Sequence, residues 1–197
     1  MTVLGLVPEA LILDQLAEYT RQLRKWNRSY NLVSAADLDE VVRRHLLDSL
    51  SIHSYVLPGS LLDVGTGAGF PGLPLAIAVP GLDCTLLDST GKKIRFLRHI
   101  KRSLGLANIH LMQSRVSDFH CEAGFDNIVS RAFSSLLDFG SAVRHLANRK
   151  TRLLAMKGKD PKDELQALPE WLKLRSVEKI LVPDLHAERH LVIMAVS

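Results

Sequence analysis

Asp63-Val64-Gly65-Thr66-Gly67-Ala68-Gly69-Phe70 decides how this chain is read. The apolar run 61–64 leads into three glycines at every second position, and further apolar runs follow at the spacing of alternating strands and helices. Glycine lets the backbone turn sharply and lets a ligand come close to the main chain. In open parallel sheets ligands bind at the carboxyl ends of the strands, which is where this loop begins. The dinucleotide fingerprint G-x-G-x-x-G would need a small residue at Phe70, whereas the glycines here fall at Gly65, Gly67 and Gly69, which argues against a nicotinamide cofactor.

Outward from the loop, short apolar runs alternate with amphipathic stretches, the pattern of a mostly parallel sheet covered on both faces. Strands are expected at 61–64, 84–87, 109–112, 125–129 and 152–156, and helices near 73–79, 92–104 and 135–147. The runs 174–182 and 190–196 leave no room for a crossover helix, and a parallel return needs a dozen or more residues, so they are expected to pair antiparallel. Ahead of the loop the period is helical: Leu16, Leu23, Trp26 and Tyr30 in one segment, Val41, Val42, Leu46, Leu47 and Leu50 in the next. Asp37 is expected to cap the second, with Glu40 completing a capping box. Pro58 and Gly59 set the boundary between a helical N-terminal extension, 1–59, that covers the active site and a core, 60–197, the two forming one unit. The fold class is α/β, Rossmann-like, with an antiparallel last strand.

A chain of 197 residues with 47% hydrophobic content buries one substantial core. No apolar run approaches the roughly 20 residues that span a bilayer. Met1 to Ala10, with Pro8 and Glu9, lacks the basic start and apolar middle of a secretory signal. A cytoplasmic protein with no membrane role is expected. Cys84 falls in an apolar run and reads as a reduced core thiol; Cys121 follows His120 but has no partner pair at ligand spacing, so no metal is expected. The net charge of +4 is mild, and its distribution matters more. Residues 91–104 hold six Lys and Arg and no acid, and 149–159 hold Arg149, Lys150, Arg152, Lys157 and Lys159, again without an acid. Both segments are candidates for phosphate contact.

The D-x-G-x-G-x-G spacing resembles the first motif of Rossmann-like S-adenosylmethionine methyltransferases, in which the loop packs against the methionine portion of the cofactor. Asp88, 25 residues after Asp63, resembles the acid that binds the ribose hydroxyls, a task suited to a carboxylate because charge-assisted hydrogen bonds are strong. Methyl acceptors leave different traces. Pyrimidine C5 usually requires a cysteine nucleophile, and neither cysteine stands in a Pro-Cys context. Exocyclic-amine enzymes usually carry Asn/Asp-Pro-Pro-aromatic after the fourth strand, where this chain reads Ser130-Arg131-Ala132-Phe133. Guanine N7 has its lone pair available and asks for alignment rather than a base. Arg131 suits a contact to guanine O6 or to a phosphate.

Lys25-Trp26-Asn27, Asn31-Leu32, His45-Leu46-Leu47-Asp48-Ser49-Leu50, the run 63–76 with Gly69-Phe70-Pro71-Gly72, Ser130-Arg131-Ala132 and Lys157-Gly158 stand in one order along nearly the whole chain. That set resembles the ribosomal small-subunit methyltransferase G family, also known as the glucose-inhibited division B proteins. The resemblance implies S-adenosylmethionine as cofactor, the small ribosomal subunit as partner, and N7 methylation of one guanine, guanine 527 in the 530 loop of 16S ribosomal RNA. It implies cofactor contacts from Asp63, Gly65, Thr66, Gly67, Gly69, Phe70, Asp88, Ser89, Arg115, Val116 and Arg131. It implies a catalytic site of Arg131, Asn31 and His45, which position rather than exchange protons, with Asn31, His45 and Asp48 bringing the helical extension over the cofactor pocket. Read from the residues alone, His45 equally suits a hydrogen-bonded link between two helices, and Asp48 a group that orients His45 or caps a helix. Two motifs depart from the family: Asn-Leu-Thr reads Asn31-Leu32-Val33, and Arg-Ala-Glu reads Arg115-Val116-Ser117 with Asp118 next. RNA contacts are expected from Arg95, Arg98 and Arg102, which share one helix face, and from Arg28 and Lys157; a monomer is expected. Two other readings stay open: a small-molecule methyltransferase with the same loop, and a non-catalytic protein that binds cofactor or RNA.

Overall fold

Residues 9–183, 185 and 187–197 are described by the computed structural model, so the signal-peptide reading of the first residues lies almost wholly outside them. Seven strands form one sheet: β1 Gly59–Val64, β2 Leu82–Asp88, β3 Ile109–Gln113, β4 Asn127–Ser130, β5 Arg152–Lys157, β6 Leu172–Lys179 and β7 His190–Val196, in the order β3-β2-β1-β4-β5-β7-β6. The first five are parallel, and β7 runs antiparallel to both β5 and β6. The antiparallel pairing of β6 with β7 follows the sequence expectation. The place of β7, inserted between β5 and β6, adds what local pattern does not encode.

The chain leaves β1 toward β2 and β3, then returns to lay β4 and β5 on the other side, so the carboxyl ends of β1 and β4 flank the switch point at which open sheets bind ligands. Alternation of side chains divides the sheet into two buried faces. Leu61, Cys84, Leu86, Val129, Leu154 and Ile193 belong to one core cluster with residues of α1 Ala10–Tyr30, α4 Gly72–Ala78 and α5 Gly91–Ser103. Leu62, Leu87, Ile128, Leu153, Val192 and Met194 meet α6 Leu136–Val143. Cys84 is fully buried, which pushes its thiol well up; both cysteines are free.

The N-terminal helices lie on the first side, α1 against α4 and α5, and α3 Asp48–Leu50 against α4. Leu16, Tyr19 and Leu23 of α1 are buried in the same cluster as Phe70, Leu73, Phe96 and Leu97. The turn after α1 is fixed by Asn27, whose Oδ1 accepts from the Leu32 and Val33 amides at 2.6 and 2.9 Å. In α2 Ala35–Asp39 the cap is Ser34, not Asp37 as expected: Ser34 Oγ accepts from the Asp37 amide and donates to Asp37 Oδ2 at 2.6 Å. The helix therefore starts three residues earlier, with Asp37 bonded to its cap. The apolar period at 41–50 forms a π-helical turn, Val42–Leu47, running into α3 Asp48–Leu50. The helix expected at 135–147 ends at Val143 and finishes in a 3-10 turn, Arg144–Leu146; α7 Lys162–Gln166 follows β5. Among the described residues no helix is long and apolar enough to cross a membrane.

Candidate active site

The glycine loop leaves β1 with its backbone tied to β2: the Gly65 and Thr66 amides donate to the Leu87 carbonyl at 2.9 and 3.1 Å. Gly65, Gly67 and Gly69 all have positive φ, at 72°, 62° and 115°. At Gly65 the need for glycine is also steric, since an added Cβ would lie 2.9 Å from Ala132 Cβ at the end of β4. From the opposite side the buried Tyr19 hydroxyl donates to the Ala68 carbonyl at 2.8 Å. Tyr19→Phe strips that carbonyl of its partner, and should cost about 1–2 kcal/mol of stability. A fall in urea midpoint at unchanged m-value, together with severalfold weaker cofactor binding, is the expected result.

Asp63 sits behind the loop with no exposure, its Oδ2 accepting from Thr66 Oγ1 at 2.6 Å and from the Gly72 amide at 2.8 Å. It thus joins the loop to the start of α4. Burial outweighs those two hydrogen bonds and raises its pKa to about 6, and Oδ1 has no partner among the described residues. The native value exceeds the unfolded one, so this residue's contribution to stability is fully present below about 4 and is lost as pH rises through about 6. Carbon-13 NMR of the Asp63 carboxyl, assigned with Asp63→Asn, should show a midpoint near pH 6; a midpoint near 4 would contradict the burial argument.

Asp88, nearly buried at the end of β2, faces the loop from the other side. Its Oδ2 accepts from the Gly67 amide at 2.9 Å and from Lys93 Nζ at 3.3 Å, and its Oδ1 from the Thr90 amide at 2.8 Å. Neighbouring Lys92 donates to the Tyr30 and Asn31 carbonyls, tying the end of α1 to α5.

Phe70 carries the loop into a second space. His45 stacks on its ring at 4.9 Å between centroids, Tyr19 lies at 5.4 Å, and the Arg131 guanidinium lies 5.5 Å from the ring centroid. Arg131 donates from NH1 to Asp48 Oδ2 at 3.0 Å and from NH2 to His45 Nδ1 at 2.9 Å. Arginine only donates, so Nδ1 is the acceptor and the imidazole carries its proton on Nε2. Burial and then the Arg131 charge lower the His45 pKa to about 4, leaving the ring neutral at neutral pH. Asp48, almost fully buried, also accepts from Arg189 Nε at 3.0 Å through its Oδ1. His45, Asp48, Arg131 and Arg189 line a cleft of about 690 Å³ together with Asp37, Glu40, Arg43, Arg44, Met156, Lys157 and Gly158.

A family model described as rRNA small subunit methyltransferase G matches residues 12–192. The chain belongs to the ribosomal RNA small subunit methyltransferase G family. The protein of that name from Pseudomonas aeruginosa is 51% identical over 192 residues, covering 97% of this chain and 90% of its own length. The one from Yersinia pseudotuberculosis is 47% identical over 195 residues, covering 98% and 95%. Among solved structures, a SAM dependent methyltransferase from Aquifex aeolicus matches with a TM-score of 0.61 at 18% identity, over 83% of this chain and all of the other. A ribosomal protein L11 methylase from Lactobacillus delbrueckii subsp. bulgaricus matches at 0.57 and 19%, over 77% of each chain. At such identities the likeness concerns the fold, which is that of a Rossmann-like methyltransferase.

Set on this frame, the methyltransferase G motifs separate into groups that meet and groups that do not. Gly65, Thr66, Gly67, Gly69, Phe70 and Asp88 converge on the loop, and Arg131, His45 and Asp48 on the cleft beside it. Ser89 follows Asp88 in an exposed position; Arg115 is exposed ahead of a 3-10 turn, and Val116 is half-buried. Asn31 is not part of the Arg131 and His45 cluster. It is the exposed C-cap of α1 at φ 45°, a conformation asparagine tolerates, and its carbonyl receives Lys92. Lys157 lines the cleft, but its ammonium is held by Glu164 at 2.8 Å and by the Ser134 carbonyl at 2.7 Å, so it braces the segment after Arg131 instead of standing free for phosphate. Arg28, Arg95, Arg98 and Arg102 are exposed on α1 and α5. Sequence reading missed Arg189, Tyr19 and Lys93. Tyr19 falls three residues after Leu16 on the same helical stripe, which was its available signal. Arg189 had none, since its contact with Asp48 spans 141 positions. Among the described residues no group of three His, Cys, Asp or Glu side chains is placed to hold a metal ion.

Proposed function

We propose that this chain transfers the methyl group of S-adenosylmethionine to N7 of a single guanine in 16S ribosomal RNA, guanine 527 in the 530 loop, with the small ribosomal subunit as its partner. Family membership supports the class of substrate. The observation that carries the choice of atom is Arg131, held by Asp48, His45 and Phe70 where the glycine loop meets the cleft. The loop fits the cofactor by its chemistry: side-chain-free backbone at positive φ, and one acid, Asp88, facing it. Bound there, S-adenosylmethionine supplies an electrophilic sulfonium methyl group.

The chain's own residues then have to orient the acceptor and keep its lone pair free. Guanine N7 needs no deprotonation, so a neutral His45 that serves only as a hydrogen-bond acceptor for Arg131 is sufficient. Alignment alone contributes several powers of ten in rate. Arg131 bonds Asp48 and His45 through its two terminal nitrogens, which leaves further N–H groups for guanine O6 or a neighbouring phosphate. In this reading Asp63 and Thr66 shape the loop from behind, while Gly65, Gly67, Gly69, Phe70, Asp88, Ser89, Arg115 and Val116 contact the cofactor. The extension 1–59 covers the site, its described part bringing Asp37, Arg44, His45 and Asp48 to the cleft. Arg28, Arg95, Arg98 and Arg102 contact RNA phosphates. Arg189 and Lys157 both line the cleft, each held by an acid, Asp48 and Glu164 respectively. The polar lining also disfavours a small apolar acceptor.

The test is transfer of labelled methyl from S-adenosylmethionine to small subunits from a strain lacking this gene, with mapping of the modified base. Label at N7 of one guanine supports the reading. Cofactor binding without transfer to subunits or free 16S ribosomal RNA overturns it.

A further inference from the structure

The cations of the cleft are spoken for. Arg131 and Arg189 share Asp48, Lys157 has Glu164, and Arg43 and Arg44 lie 3.5 and 3.6 Å from Glu40 and Asp37. Such a site aligns a ligand well but has little free charge with which to attract one. A second groove, of about 370 Å³, has the opposite character: Arg149, Lys150, Arg152 and Arg175 line it with one acid, Glu178. Among the described residues none of those four cations forms an ion pair. Arg149, Lys150 and Arg175 are exposed, while Arg152 donates to the Tyr55 carbonyl at 2.7 Å.

The groove lies at the amino end of β5 and the cleft at its carboxyl end. Arg152 lines the first and Met156 the second. Strand alternation puts both side chains on one sheet face, and four residues of rise separate them by about 13 Å. Charges on an edge strand can serve to deter strand addition, which accounts for Arg175 on β6. Arg149 and Lys150 lie instead in the turn before β5, where that explanation does not apply.

We propose that this groove is a second RNA contact, gripping the phosphate backbone of 16S ribosomal RNA a few nucleotides from the base presented to the cleft. The inference rests on the ribosomal RNA reading above. Phosphate contacts fix register and supply affinity through counterion release, whereas the site at the base supplies selectivity. Free cations at the groove and paired ones at the cleft divide those two tasks.

The experiment is salt-dependent binding of in-vitro-transcribed 16S ribosomal RNA to the wild-type chain and to Arg149→Gln/Lys150→Gln/Arg175→Gln, which spares Arg152 for its bond to Tyr55. Loss of three contacts should flatten the slope of log affinity against log salt by about 2, and weaken binding about tenfold or more near physiological salt. Cofactor affinity, measured by calorimetry, should stay unchanged. The control Lys162→Gln/Lys173→Gln should move the slope little. If the triple variant keeps the wild-type slope, or the control flattens it as much per charge removed, the groove assignment is overturned while the function stands. If the wild-type chain binds neither the transcript nor small subunits, both fall.

Discussion

Replacing Asp48 by alanine should lower stability by about 2–3 kcal/mol and reduce kcat/KM for methyl transfer at least about a hundredfold. The carboxylate is almost fully buried and accepts one hydrogen bond from Arg131 and one from Arg189, each at 3.0 Å. Removing it leaves two like charges facing each other across a cavity. Breaking a fully buried pair costs about 3–5 kcal/mol. Here the two guanidinium side chains are 22% and 24% exposed, so water takes up part of the charge and the cost falls at or below the lower end of that range. Activity is the more sensitive readout. Arg131 would keep only His45 and a long contact to the Arg44 carbonyl at 3.5 Å, too little to hold its plane above Phe70. Asp48→Asn retains one acceptor oxygen and should fall between alanine and wild type. Urea denaturation gives the first quantity and single-turnover kinetics with labelled cofactor the second. Full activity in Asp48→Ala would remove Arg131 from the alignment role assigned to it.

The parts of the fold legible in the sequence are those whose cause is local. Alternating apolar runs marked all seven strands to within a few residues, because a strand covered on both faces has few polar positions, as the unbroken burial from Leu61 to Val64 illustrates. The short link between β6 and β7 dictated their antiparallel pairing. The glycine loop and Asp88 were legible because their chemistry is carried by consecutive residues and one crossover. What escaped depends on distant partners. Nothing near Arg189 in the chain says that it reaches Asp48, so that cation of the cleft was overlooked. Glu164 stands only seven positions after Lys157, and it is the fold of the intervening segment that brings the two together. Asn31 stands outside the Arg131 and His45 cluster, at the left-handed end of α1, a local demand that motif resemblance alone does not distinguish from a positioning role. At Ser34 two rival capping residues stood three positions apart, and the one directly preceding two alanines prevailed.

Gly69→Ala should be the most damaging single methyl group that can be added to this loop. The residue sits at φ 115°, beyond the region that L-residues visit at modest cost, and the added carbon would fall 2.9 Å from Leu97 Cδ2, 3.1 Å from Leu73 Cβ and 3.3 Å from the Tyr19 hydroxyl. Each neighbour belongs to a different helix, α5, α4 and α1 in turn, so relief against one drives the loop into another. Strain and overpacking together should cost about 2–4 kcal/mol, and displacement of the loop should weaken cofactor binding about tenfold or more. Gly81→Ala separates the two terms. Gly81 also has positive φ, 75°, but nothing lies within 4 Å of its added carbon. It should therefore show the backbone penalty alone, about 1 kcal/mol, with cofactor affinity intact. Equal losses at the two positions would mean that the three helices yield to the methyl group, and that the clamp of α1, α4 and α5 around the loop is softer than its packing implies. A larger loss at Gly69 would instead place the N-terminal helix among the elements that fix the cofactor loop, since Tyr19 both blocks the methyl group and bonds the adjacent Ala68 carbonyl.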